Sequence, residues 1–176
     1  MGKAMEFFVT HQTVEHYSGD CAVAFVFKEK NHQNKDLQQL LKLNRFDAIV
    51  GATLMLSQVS GYKTKRLLVV GLGESSLNEK NYMKELNSLS SALSDAKVKN
   101  VVIPDIQIDN RDESWVQLTT ARVLKNASYQ VEKVDAKEEN EKGTLEAINI
   151  YSENNDATEI NKGLAIANGM ALTRRL

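Results

Sequence analysis

Between Arg66 and Lys80 the chain reads RLLVVGLGESSLNEK, and this stretch constrains the fold more than any other. The Leu67-Leu68-Val69-Val70 run has no polar residue to turn toward water, so it suits a strand buried on both faces of a sheet. Gly71-Leu72-Gly73 then allows a sharp turn. Ser76 and Glu79 have the spacing of a capping box, with serine at the N-cap and glutamate at the third helical position. Behind them Tyr82, Leu86, Leu89, Leu93 and Ala96 recur at steps of four and three, which is one face of a helix. A buried strand feeding an amphipathic helix is the building unit of layered α/β proteins.

The flanking segments fit that class. Met5–Val9 and Cys21–Phe27 are apolar runs without breakers, hence strands. Asn34–Asn44 places Leu37, Leu40 and Leu41 on one helical face. Ala52–Val59 reads as a strand, joined through the turn SGYKTK to the Arg66 strand. Asn100–Asp105 is a further strand, stopped by Pro104, the only proline. Asn110 with Glu113 is placed to cap a helix through about Ala127, carrying Trp115, Leu118 and Leu124. The charged run Glu132–Gly143 reads as an exposed loop, and Leu145–Ser152 alternates like a half-buried strand. Asp156 with Glu159 caps a last helix with Ala157, Ile160, Leu164, Ala167 and Ala171 on one face, continuing to Leu176 without a stop signal. Strands alternating with helices after residue 66, and paired strands before residue 60, predict an α/β fold with a mixed central sheet flanked by helices.

Composition narrows the function classes. The chain has 176 residues, enough for one domain, and a net charge of −1, which argues against a general affinity for nucleic acid or an anionic membrane. Cys21 is the only cysteine, so no internal disulfide or thiolate cluster forms. No apolar run reaches the roughly 20 residues that span a bilayer. The N-terminus lacks a signal-peptide core, and the expected address is the cytoplasm. Residues 1–4, MGKA, read as an expression remnant, with a single domain over 5–176.

The candidate chemistry is sparse. A glycine turn at a helix start can cradle a phosphate on backbone N–H groups, which makes Gly71, Gly73, Ser75 and Ser76 a candidate ligand loop. The third glycine of a dinucleotide fingerprint is replaced by Ser76, Glu74 puts a negative charge in the loop, and no GKS or GKT follows. The bland alternative is a strand-to-helix corner closed by the Ser76 cap. His11 and His16, in HQTVEH, lack the spacing of a zinc HExxH helix, and with His32 they read as solvated loop residues. The acids of DNRDE and KEENE have no apolar shelter and read as surface. Cys21 opens an apolar strand without a nearby base, so packing outweighs nucleophilic chemistry. Tyr62–Arg66, YKTKR, interleaves one aromatic residue with cations, a pattern that a nucleic-acid contact or a solvated turn would share. No catalytic, metal or cofactor residues emerge.

Whole segments in order carry more. KRLLVVGLG with its capped helix, DCAVAFVF, RFDAIVGATLML, ARVLKNASYQVEKV and the closing NKGLAIANGMALTRRL together resemble the N-terminal domain of the leucyl aminopeptidase, or cytosol aminopeptidase, family. The resemblance implies a three-layer, macro-domain-like fold. It implies that the last helix begins the linker to an absent C-terminal catalytic domain. It implies a parent that is a homo-hexameric metallo-aminopeptidase, removing N-terminal residues from peptides with two divalent metal ions, zinc or manganese. The family's catalytic motifs, including NTDAEGR, do not occur in these residues, so no enzyme activity, catalytic residue or metal ligand is expected here. The expected role is structural, in assembly or regulation. Two alternatives stand beside it: a nucleotide or ADP-ribose module built on Gly71 and Gly73, as in some macro domains, and an accessory DNA contact through Lys63, Lys65 and Arg66, as in some bacterial relatives.

Overall fold

The computed structural model describes residues 5–138 and 145–175. Six strands and four helices follow one another as β1 (Glu6–Thr10), β2 (Cys21–Val26), α1 (Lys35–Leu43), β3 (Thr53–Ser57), β4 (Arg66–Gly71), α2 (Glu79–Asp95), β5 (Asn100–Ile103), α3 (Glu113–Glu138), β6 (Ala147–Tyr151) and α4 (Thr158–Arg175). The strands form one mixed sheet in the order β1-β6-β5-β2-β4-β3. All neighbours are parallel except β3, which runs antiparallel to β4 through the turn expected at SGYKTK. The fold is α/β and three-layered, as the sequence implied.

Strand alternation divides the core in two. Cys21, Val23, Leu68, Val70, Val101 and Ile148 point to one face, under α2, α3 and α4. Ala22, Ala24, Leu67, Val69 and Val102 point to the other, where α1 covers them with Leu37 and Leu41. β4 is buried along its length from Leu67, which is why its sequence shows no alternation.

Three local expectations are corrected. Helix α2 is capped by Asn78, whose side chain accepts the Asn81 N–H, while Ser76 stays exposed in the preceding loop. Asparagine is as good a cap as serine, and it lies where the backbone first turns helical. Helix α3 is capped by Asp112, which accepts the Trp115 N–H, because Asn110 sits at φ +62° and cannot lead into a helix. The same helix continues to Glu138 through most of the run expected to be a loop. Its Glu, Lys and Ala residues are good helix formers, and no glycine or proline interrupts them before Gly143. Residues 139–143 of that expected loop lie outside the described residues.

Helix α4 packs closely on α3. Asp156 accepts the Thr158 N–H as expected, and Ile160 and Ala167 are buried with Leu164 beside them. A Cβ on Gly163 would stand 2.3 Å from Leu118 O, so only glycine lets the backbones approach this far.

Candidate functional site

Two regions gather residues that the sequence analysis weighed: the Gly71–Gly73 corner and a cleft beside the end of β2.

At the corner the backbone donors already have partners. Gly71 donates to Ala52 O (2.8 Å), Leu72 to Val26 O (2.9 Å) and Gly73 to Ala48 O (2.8 Å). Gly73 O in turn accepts the Lys28 N–H at 2.8 Å. All three residues of the corner are buried. A Cβ on Gly71 would stand 2.5 Å from Ile49 O, and Gly73 holds φ +88°. The glycines are therefore accounted for by a close crossing of the 48–52 segment. Ser75 and Ser76 are exposed beyond it, and Glu74 lies 3.9 Å from Lys28, which is held more closely by Asp47 at 3.2 Å.

The cleft has a volume of about 740 Å³ and collects Phe25, Phe27, Tyr62, His16 and His32, with Glu15 and Lys30 at its margin. The structure thus brings two of the three histidines to one cleft and leaves His11 exposed elsewhere. His16 Nδ1 shares a hydrogen with Thr13 Oγ1 at 2.6 Å. His32 is half-buried rather than solvated, and burial lowers its pKa against a small opposing pull from Glu15. Its Nδ1 accepts the Asn34 N–H at 3.0 Å, so the neutral ring carries its proton on Nε2. Burial, helped by Glu15, pushes the Tyr62 hydroxyl up to about 12. His32 and Tyr62 are thus neutral hydrogen-bonding partners beside the Phe25 and Phe27 rings.

Cys21 is fully buried, and burial pushes its thiol up to about 12, so it serves packing as expected. Arg66 is not a free cation. Its guanidinium forks onto both oxygens of Asp20 and donates to Ala96 O at 2.7 Å, tying β4 to the end of α2. Burial works against the charge on Asp20, but the Arg66 fork and the Lys99 N–H hold its carboxyl below the usual range. Lys63 and Lys65 remain exposed.

The acids of DNRDE border a hollow of about 430 Å³ with Asp105. Asp112 is used as a cap there, and Glu113 accepts from Gln117 at 2.9 Å. Of KEENE, residues 139–141 lie outside the described residues.

One feature escaped the sequence. Glu85, on the inner side of α2, is fully buried, with one oxygen accepting the Gly51 N–H at 2.6 Å and the other without a partner among the described residues. Its sequence context, Lys84-Glu85-Leu86, looks like an ordinary helix surface. The outer side of α4 is open as well: Ile166, which lies off the helix's main apolar stripe, and Leu172 are 43% and 63% exposed, and Gly169 faces open space. Apolar residues thus stand on the outer side of this helix as well as on the face packed against α3.

A mixed six-stranded sheet between helix layers, with a glycine corner after β4, the strand next to the β3 edge, defines an α/β domain with a macro-domain-like fold. Its sequence places it further. The family model described as "Cytosol aminopeptidase family, N-terminal domain" matches residues 23–138. A probable cytosol aminopeptidase from Vesicomyosocius okutanii is 38% identical over 98% of this chain, and one from Nitrosomonas europaea is 27% identical over 98%. The chain belongs to the cytosol aminopeptidase family, in the region of its N-terminal domain. It spans 36% and 38% of the length of those two relatives.

Among solved structures, a tomato leucine aminopeptidase mutant superposes with a TM-score of 0.65 at 19% identity, over 94% of this chain and 36% of the other. The macrodomain of Mycobacterium tuberculosis DarG superposes with a TM-score of 0.56 at 12% identity, over 84% of this chain and 98% of the other. Both likenesses establish the fold. Among the described residues no three His, Cys, Asp or Glu side chains come together to hold a metal. Nor is any described helix long and apolar enough to cross a membrane.

Proposed function

We propose that this chain is the non-catalytic N-terminal domain of a leucyl aminopeptidase, working as a structural and assembly element of a cytoplasmic enzyme. The observation that carries the reading is α4. Its inner face of Ile160, Gly163 and Ala167 is spent on α3, yet Ile166 and Leu172 remain uncovered on the outer side. The relatives are much longer than this chain, so their remaining length supplies a natural cover for that face. In this reading the parent removes N-terminal residues from peptides in a hexamer, with two divalent ions held outside the residues described here.

The test has two arms. The isolated chain is expected to release no p-nitroaniline from leucine p-nitroanilide with zinc or manganese, and metal-dependent release would overturn the reading. In a full-length parent, Ile166→Asp with Leu172→Asp is expected to weaken docking of this domain, read as its faster proteolytic release. Unchanged release would remove the support that α4 gives.

The macro-type fold also favours a second reading, in which the Gly71–Gly73 loop with Ser75 and Ser76 takes a nucleotide or ADP-ribose. We read the loop instead as a corner, because its three buried N–H groups already bond Ala52, Val26 and Ala48. A calorimetric titration with ADP-ribose that shows saturable heat would favour the ligand reading. For an accessory DNA contact, Lys63 and Lys65 are the available cations, since Arg66 is committed to Asp20.

A further inference from the structure

Strand β3 closes one end of the sheet, and its free edge is unusually bare. Ala52 O accepts from Gly71, and Gln58 N–H donates to Lys65 O at 2.9 Å, in a register that pairs Thr53 with Val70 and Ser57 with Arg66. Bonding residues alternate along an antiparallel pair. Leu54 and Leu56 therefore turn their N–H and C=O groups to β4, and Thr53, Met55 and Ser57 turn theirs outward. Among the described residues nothing bonds those outward groups.

Natural edges are protected by charge, proline or a bulge. The sequence Thr-Leu-Met-Leu-Ser has neither charge nor proline, and the one-to-one register has no bulge. The opposite edge strand, β1, carries the exposed Glu6. Beside β3, helix α2 shows the small residues Ser88, Ser91 and Ala92 to a hollow of about 590 Å³. That space leaves the edge open to an incoming strand.

We propose that β3 pairs with β3 of a second copy of this chain, antiparallel about a two-fold axis through Met55, so that two six-stranded sheets join into one. The outward residues are symmetric about Met55. Thr53 meets Ser57 of the second copy, Met55 meets its own counterpart, and every donor finds an acceptor. The interface is isologous, the commonest form of homodimer. Charge sets the direction. Glu85 bonds Gly51 ahead of β3, while Arg66, opposite Ser57 in the register, bonds Ala96. So α2 runs alongside β3, with Lys84 toward the strand's head and Asp95 toward its tail. An antiparallel copy turns the Asp95 end toward the Lys84 end, whereas a parallel one would align like charges.

The test is light scattering of the 176-residue chain over a concentration series, with amide exchange read by NMR. The expected result is a concentration-dependent dimer in which the Thr53, Met55 and Ser57 amides slow by about tenfold or more, while Leu54 and Leu56 are protected at every concentration. Thr53→Pro is expected to give a monomer, because the lost N–H points outward and the β3–β4 ladder keeps its bonds. Thr53→Lys, at an exposed position, gives the same readout should proline unfold the edge. Ile166→Asp on α4 is expected to leave the dimer intact. A monomer at all concentrations overturns the proposal. So does a dimer whose outward amides exchange freely, or one that Ile166→Asp abolishes.

Discussion

The buried carboxyl of Glu85 gives the sharpest test of how this domain is held together. Helix α2 turns it inward, where it is 0% exposed and meets a single donor, the Gly51 N–H at 2.6 Å. Gly51 sits at φ +88°, so this bond pins a left-handed turn at the head of β3. Burial raises the Glu85 pKa from the ordinary 4.5 to about 7, with the Gly51 N–H and Lys84 opposing only in part. In the folded chain the group thus keeps its proton in a range where the unfolded chain has lost it. Stability must fall as pH rises from about 4.5 to about 7, and level off on either side. At about 1.4 kcal/mol per pH unit, the loss across that window is roughly 3 kcal/mol.

Glu85→Gln isolates this effect. The amide cannot ionise, and its oxygen still accepts from Gly51. Its NH₂ group falls where the protonated carboxyl already places an unpartnered O–H, so the two side chains are nearly matched at low pH. Urea unfolding at pH 5, 6, 7 and 8 should therefore give the variant and the native chain similar stabilities at pH 5. By pH 8 the variant should be the more stable, the difference having changed by roughly 2.5 kcal/mol. Parallel stability curves for the two proteins across this range would refute the argument.

Other expectations follow from the same packing. Gly71→Ala sets a Cβ 2.5 Å from Ile49 O and 2.7 Å from Ala48 C, with backbone on the far side, and should cost about 1–3 kcal/mol in thermal or urea unfolding. Gly163→Ala, with Leu118 O at 2.3 Å, should cost a similar amount, and should raise amide exchange in α4 before the sheet. Cys21 should be inert to a thiol reagent such as DTNB in the native chain and react at once in denaturant, whereas rapid native labelling would contradict its burial.

The parts of the fold that read directly from sequence are those where one force decides. The Leu67–Val70 run has no polar residue, so it can only be a buried strand, and the α2 face repeats faithfully enough to fix the helix. Where two choices are nearly equal in free energy, the sequence points to a neighbouring residue. Ser76 and Asn78 are both good caps, and only the path set by the corner, with Leu77 buried beneath it, selects Asn78. The Glu132–Glu138 run is charged as a loop would be, yet its residues are good helix formers that extend α3 without a break.

The site shows the same division. Gly71 and Gly73 mark a tight corner in any reading, but whether their N–H groups face a ligand or the chain depends on Ala48 and Ala52, some twenty residues earlier, and no local motif records that. Glu85 is hidden for a related reason. A glutamate between Lys84 and Leu86 is buried only because Gly51 crosses over it, a contact that exists once β3 has folded back against β4. What local pattern cannot give, in both cases, is the approach of the 48–52 segment. That segment supplies the acceptors that occupy the glycine corner, the donor that holds Glu85, and the lead into the exposed edge of β3. Its position therefore links the closed corner, the pH-dependent carboxyl and the free edge strand. A substitution that displaces it, such as Gly71→Ala, should change the Glu85 titration and the exchange of the Thr53 amide together.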